Sequence, residues 1–367
     1  MPTYPSGSGT SASDPRIVDT KEDFIAAIQS EEKTMYISFP DDRPESEKVL
    51  DFRKDGFYTS PVASVPSLEY PRSRYINGNG WTILGLSLRD TSFISTPSNT
   101  DGGYTIEIRN LNFKNVYLLG LTSYSSGIDG VATSLLFFIR SANSTSGGAY
   151  MYNCKISGVL DNYVNQNAKV SFVCANGGYP DSVSGIFKNC SFNIRVLPYT
   201  RTNAQKKIPY ENCLFNIVGN TYNVIGGDSD LSPLAGGIFR FCRFQGKIIV
   251  TSTLYASSDD HYSSSVQGDT LFRFLTGSYY NVIDMEITTN HSRINSTTQE
   301  IEYPAVNTFA SSSSNLWITD GCVNVFTHVT TNSGQAYVHM VTKAESQNKQ
   351  KMLDDCNFII GDNPSAI

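Results

Sequence analysis

The chain has 367 residues, with 28 Lys and Arg against 34 Asp and Glu, a formal charge of -6, and 17% charged against 40% hydrophobic residues. Charge this modest, with no basic run longer than Lys206-Lys207, lacks the electrostatic footprint of a nucleic-acid-binding surface. The abundance of Ser, Thr, Asn, Gly, Tyr and Phe points to a β-rich chain with uncharged polar loops and away from a helical bundle.

Residues 1–15, MPTYPSGSGTSASDP, are rich in Ser, Gly and Pro and cannot bury their own surface, so they are expected to form a flexible arm ordered only by a partner. They carry neither a charged n-region nor an apolar h-region, and no later stretch approaches the roughly 18 apolar residues of a membrane span. The expectation is a protein neither exported by the Sec route nor inserted in a membrane. Thr20 is placed to cap a helix, with Asp23 three residues on and an apolar stripe of Phe24, Ile25 and Ile28. The strand-like TMYISF follows at 34–39, and YINGNGWTILGLSL at 75–88 reads as the first full coil. Residues 16–74 are therefore assigned to an N-terminal cap and lead-in, 75–361 to the coiled body and 362–367 to a C-terminal tail.

The body is marked by a repeat. GIFKNCSFNI at 185–194 returns as YENCLFNIVG at 210–219, GIFRFCRFQG at 237–246 and, less closely, MLDDCNFIIG at 352–361. Aligned on one position, the copies stand at Leu111, Cys154, Cys190, Cys213, Cys242, Ile283, Cys322 and Cys356. Three residues earlier come Ile108, Met151, Phe187, Tyr210, Phe239, Tyr280, Thr319 and Leu353, and two residues later Phe113, Ile156, Phe192, Phe215, Phe244, Met285, Asn324 and Phe358. The residue before the anchor is Asn110, Asn153, Asn189 and Asn212 in the first four copies, then Phe241, Val282, Gly321 and Asp355. Asparagine tolerates the left-handed conformation of a sharp bend, so each copy reads as two short strands meeting at a corner. Successive anchors lie 23 residues (Cys190 to Cys213) to 43 residues (Leu111 to Cys154) apart, as expected of a coil of a little over twenty residues with loops of variable length.

This repeat resembles that of the right-handed parallel β-helix proteins of the pectate-lyase-like superfamily, whose coils often carry an asparagine at one bend. The resemblance covers roughly residues 75–361 and implies an all-β fold, a single-stranded right-handed parallel β-helix (solenoid) with an N-terminal capping helix. Stacked coils would gather the recurring cysteines into an inward column, where a free thiol behaves as a small hydrophobe. Seven cysteines without a CxxC pair, and no His or Asp in register with them, argue for reduced thiols and against a disulfide framework or a metal site. No metal and no cofactor are expected.

The superfamily includes polysaccharide lyases, galacturonases and phage tailspike depolymerases, so the resemblance makes carboxylates and histidines the candidate catalytic groups. NTDGG at 99–103 is similar to the galacturonase NTDG motif and makes Asp101 a catalytic candidate. The Asp-Asp pair, Gly-His-Gly and Arg-x-Lys of that signature do not follow, SSGIDG nearby offers only Asp129, and an Asp-Gly-Gly turn is the competing reading. SSDDHYSSS at 257–265 collects Asp259, Asp260 and His261, a set suited to acid–base work or to a cation, against a solvated loop tip. His291 lies in a polar insertion, and His328 and His339 lie on strand-like segments. The long loops 120–133, 251–267 and 288–314 are rich in Ser, Thr, Asn and Tyr, suited to sugars, to a neighbouring subunit, or to neither.

These observations lead to the expectation of a bacteriophage virion protein, a tail, collar or head appendage docked through its N-terminal arm to other virion proteins. It would be assembled in the host cytoplasm and, by analogy, form a homotrimer that can contact a host-surface polysaccharide. The alternatives are a tailspike-type depolymerase or lyase, and a glycan-binding module without turnover.

Overall fold

The structure, a computed structural model, describes residues 7–66, 72–96, 104–120, 134–140, 147–161, 170–171, 175–177, 183–196, 209–221, 238–250, 272–274, 279–289, 293–294, 301–302, 309–311, 314–319, 329–331 and 338–348. The chain is mostly β, in parallel sheets, with two helices among the described residues.

One 20-stranded sheet dominates. Its first row runs from Arg16–Ile17 through Thr34–Ser38, Ser73–Asn77, Thr105–Arg109, Gly147–Tyr152, Val183–Lys188 and Pro209–Glu211 to Ile238–Arg240, each parallel to the next. A second row runs from Val49–Asp51 through Thr82–Leu84, Asn112–Leu119, Lys155–Asp161, Ser191–Val196 and Leu214–Thr221 to Arg243–Val250, again parallel throughout. Both rows continue into Tyr279–Thr289, which pairs in turn with Ser314–Thr319, itself paired with Val338–Val341. A separate parallel sheet stacks Ala63–Ser64, Ser92–Ser95 and Ser134–Arg140.

The stacking begins earlier than the sequence suggests. Val49–Asp51 and Phe57–Tyr58 already pair with Thr82–Leu84 and Ser87–Arg89, so residues 34–64 form a complete layer inside the segment assigned to cap and lead-in. After Thr34–Ser38, which the sequence shows as strand-like, the strands of this layer are two or three residues long and too short to show alternation. Residues 7–15 are likewise not a free arm. Asp14 closes a loop on Ser8, and Tyr36 N–H donates to the Gly9 carbonyl at 2.8 Å, laying the segment against the first-row strand Thr34–Ser38.

The helix Lys21–Ile28 forms as expected. Thr20 accepts from the Asp23 N–H at 3.1 Å, and Phe24, Ala27 and Ile28 are buried. Phe24 meets Phe39 and Phe93, so the helix covers apolar groups at the first layers. Trp81, also buried there, donates its indole N–H to the Pro40 carbonyl at 2.7 Å.

The repeat builds the interior. Leu111, Cys154, Cys190, Cys213 and Cys242 are all buried, as are the residues three before and two after each of them. Phe192, Phe215 and Phe244 stack at 4.8 and 4.9 Å, nearly parallel. Phe187, Tyr210 and Phe239 form a second ladder at 5.1 and 5.0 Å, which meets the first edge-on. At the corner Asn110, Asn153, Asn189, Asn212 and Phe241 have φ between 52° and 56°. The asparagines bond in series, each donating its Nδ2 to the previous Oδ1 from Asn212 back to Asn77, at 2.7 to 3.2 Å.

The alignment fails beyond Cys242. Arg243 pairs with Val282, which puts Asn281 level with Cys242 and Ile283 level with Phe244. Thr319 shifts too, since Ile318 pairs with Ile283 and Thr319 falls beside Asp284 on the outer side. For Ile283 the slip is two residues, which returns the same set of side chains to the same face, so hydrophobic alternation cannot detect it. Cys322 and Cys356 lie outside the described residues.

Candidate functional site

The sequence candidates Asp101, Asp259, Asp260 and His261 lie outside the described residues, as do Asp129, His291 and His328. His339 is on the strand Val338–Val341, paired with Trp317. Of the long loops, 288–314 contains a short antiparallel pair, Arg293–Ile294 with Ile301–Glu302. Among the described residues no group of three or more His, Cys, Asp or Glu is arranged to hold a metal ion, and no helix is long and apolar enough to cross a membrane.

The recurring thiols have a different task. Cys154, Cys190, Cys213 and Cys242 are free and buried, and each reaches back to the carbonyl three residues before the preceding anchor: Ile108 at 3.9 Å, Met151 at 3.7 Å, Phe187 at 3.4 Å and Tyr210 at 3.4 Å. Each also lies against the carbonyl two residues before it, Tyr152, Lys188, Glu211 and Arg240, at 3.2 to 3.4 Å, and the anchor N–H of the preceding layer favours the charged form of three of the sulfurs, Leu111 at Cys154, Cys154 at Cys190 and Cys190 at Cys213. A thiol is a weak donor and a weak acceptor in a nearly apolar side chain, so one small residue answers both backbone groups that the corner takes out of the strand ladder. Burial pushes Cys154, Cys190 and Cys213 well above the usual thiol range, which keeps them protonated and unreactive.

Outside, the first row presents a mixed aromatic and charged face. Tyr36 stacks on Tyr75 at 4.8 Å. Arg109 lies over the Tyr152 ring at 4.4 Å and pairs with Glu107 at 2.5 Å, and Lys188 pairs with Glu211 at 2.7 Å. The Arg109–Tyr152 and Lys188–Glu211 contacts are partly exposed and brace neighbouring layers with modest energy, while Glu107 holds Arg109 from the same strand.

On the second row Phe57 is 46% exposed, and its ring meets Tyr117 edge-on at 5.5 Å. The two rings come from layers on either side of Ser87, whose small side chain leaves room for the contact. Tyr117 donates its hydroxyl to the buried Asp161, and burial, then that carboxylate, pushes the phenol up to about 12. The result is an exposed ring beside an oriented Tyr–Asp pair.

Two buried charged groups escaped the sequence reading. Arg243 and Asp284 form an ion pair roofed by the short helix Lys343–Ser346. Arg243 donates to the Ser346 carbonyl at 3.1 Å and hydroxyl at 3.2 Å, and Thr319 donates to Asp284 at 3.2 Å. At the opposite end Arg72 and Arg74 are 1% and 0% exposed, on the core side of the strand that carries Ile76. The signal for them was present in PRSRYING: Arg72, Arg74 and Ile76 share one face at period two. Arg74 donates to the carbonyls of Ile28, Ser30, Glu32 and Ser73 at 2.6 to 3.2 Å, satisfying the C-terminal end of the helix Lys21–Ile28. Burial, then the charge of Arg72, pushes its guanidinium down to about 10.

No protein-family model, curated protein or solved structure matches the chain.

Proposed function

We propose that the chain is a right-handed parallel β-helix of the pectate-lyase-like kind and serves as a structural protein of a bacteriophage particle, in a tail, collar or head appendage. The observation that carries this reading is continuity. The same asparagine, cysteine and aromatic rows repeat from layer to layer between Leu111 and Cys242, so each layer braces its neighbours through like side chains. Quasi-one-dimensional stacks of this kind make elongated struts that carry loops on their flanks. Parallel strands joined by crossovers are right-handed in nearly every fold, which supports the hand assigned. Other virion proteins and two further copies of the chain are the proposed partners, the trimer resting on analogy.

The test is whether the protein travels with intact particles. Immunoblotting of gradient-purified phage against the cleared lysate should find it in the particle band at fixed stoichiometry. Confinement to the soluble fraction would overturn the reading.

A second reading, contact with a host-surface polysaccharide with or without cleavage, is favoured by Phe57 beside Tyr117 and Asp161. An exposed ring next to oriented polar groups suits a sugar's apolar face and hydroxyls. Co-sedimentation with host capsule that is lost in Phe57→Ala supports it, and equal retention of both proteins rejects this patch.

A further inference from the structure

Arg72 has an arrangement that its packing within the fold leaves unexplained. Its Nη1 donates to the carbonyls of Ser30 at 3.0 Å and Glu32 at 3.3 Å, which fixes one side of the guanidinium. Its Nε and Nη2 are buried and have no hydrogen-bond partner among the described residues. These two atoms form the side-on edge of the guanidinium, whose parallel N–H groups match two oxygens of a carboxylate, phosphate or sulfate. Arg74 stands beside it and donates to backbone carbonyls, so among the described residues no carboxylate is bonded to either cation, and the Glu32 carboxylate acts on Arg74 by charge without a hydrogen bond to it. Tyr104, level with Arg72 in the next layer and buried, lies close enough for the charge of Arg72 to act on its phenol. Buried charge without a counter-charge is among the costliest arrangements in a protein, and buried donors are almost always satisfied.

We infer that the Arg72 edge, with Arg74 and Tyr104 around it, is a binding site for one oxyanion at the N-terminal end of the strand stack. Its chemistry is that of a carboxylate or a phosphate-like group held side-on. Its source is a small anion from solution. The inference is independent of the virion reading, because it concerns only how two buried cations are neutralised.

Thermal unfolding of the full chain in sodium phosphate, with sodium chloride balancing ionic strength, tests it. Phosphate stabilises many proteins by exclusion from their surface, so the informative quantity is the difference between the wild type and Arg72→Lys, which keeps the charge and loses the edge. With a solution anion as the source, the wild-type midpoint rises on the order of 2–3 °C more than that of Arg72→Lys at about ten times the dissociation constant. An equal phosphate response of the two proteins overturns the inference. Should Arg72→Lys fail to fold, Arg72→Met takes its place in the same comparison.

Discussion

After the strand Ile238–Arg240 the chain bends at Phe241, with φ 54°, and turns Cys242 inward. In the next layer the strand Tyr279–Thr289 runs straight through the same level, and Asn281 points inward instead. Asn281 is fully buried. Its Oδ1 accepts from the Cys242 N–H at 3.0 Å and its Nδ2 donates to the Phe239 carbonyl at 2.8 Å. These are the counterparts of the two groups that Cys154, Cys190 and Cys213 answer in their own layers. The difference between the layers teaches what the repeat selects for. The requirement at the anchor is a small side chain that both donates and accepts, and cysteine meets it where aromatic rings crowd on either side.

The two layers are also tied by charge, since Arg243 follows Cys242 and Asp284 lies on the straight strand. Breaking that pair is the largest perturbation available. Asp284→Ala leaves Arg243 buried and uncompensated and should cost about 3–5 kcal/mol in urea unfolding. Hydrogen exchange should show the strands from Tyr279 onward opening first, while amides before Cys242 stay protected. A loss below about 1 kcal/mol would mean that the two layers do not depend on the pair.

Raised pH separates the thiol layers from the amide layer. Burial raises the folded-state pKa of Cys154, Cys190 and Cys213 well above the ordinary thiol value, so unfolded thiols ionise first. Their contribution is therefore fully present below pH 9 and is lost as pH rises toward the folded values, by up to about 1.4 kcal/mol per pH unit for each thiol. Urea midpoints measured from pH 7 to 10 should fall above pH 9, and Cys190→Ser should reduce the slope. A slope unchanged by that substitution would assign the alkaline loss to other groups. The smallest effect sharpens the corner itself. Phe241 holds a left-handed conformation that asparagine accepts more readily, so Phe241→Asn should stabilise by about 1 kcal/mol and extend the amide ladder from Asn212. A loss of stability would show that the Phe241 ring contributes more than its backbone costs.

Much of this was legible in the sequence between Leu111 and Cys242, because the Asn-Cys dipeptide marks the corner independently of hydrophobicity. Where that mark was absent the alignment drifted. Ile283 was aligned with Cys242 on apolar pattern alone, and the true counterpart, Asn281, is polar and was invisible to a search for apolar anchors. In the first layer, residues 34–64, the strands after Thr34–Ser38 are too short to show a period. The buried charges were missed for a related reason. Arg72 and Arg74 carry the strand phase of Ile76 but not its chemistry, and Arg243 and Asp284 meet only because stacking brings positions 41 residues apart together. The functional residues suggested by motif, Asp101, Asp259, Asp260 and His261, lie outside the described residues.

The measurement that tests the account of the corner most directly is the unfolding free energy of Asn281→Cys beside Asn281→Leu. Leucine leaves the Cys242 N–H and the Phe239 carbonyl buried without partners and should cost about 2–4 kcal/mol, whereas cysteine should recover at least half of that loss. Equal losses in the two variants would contradict the claim that one donating and accepting side chain per layer holds the corner.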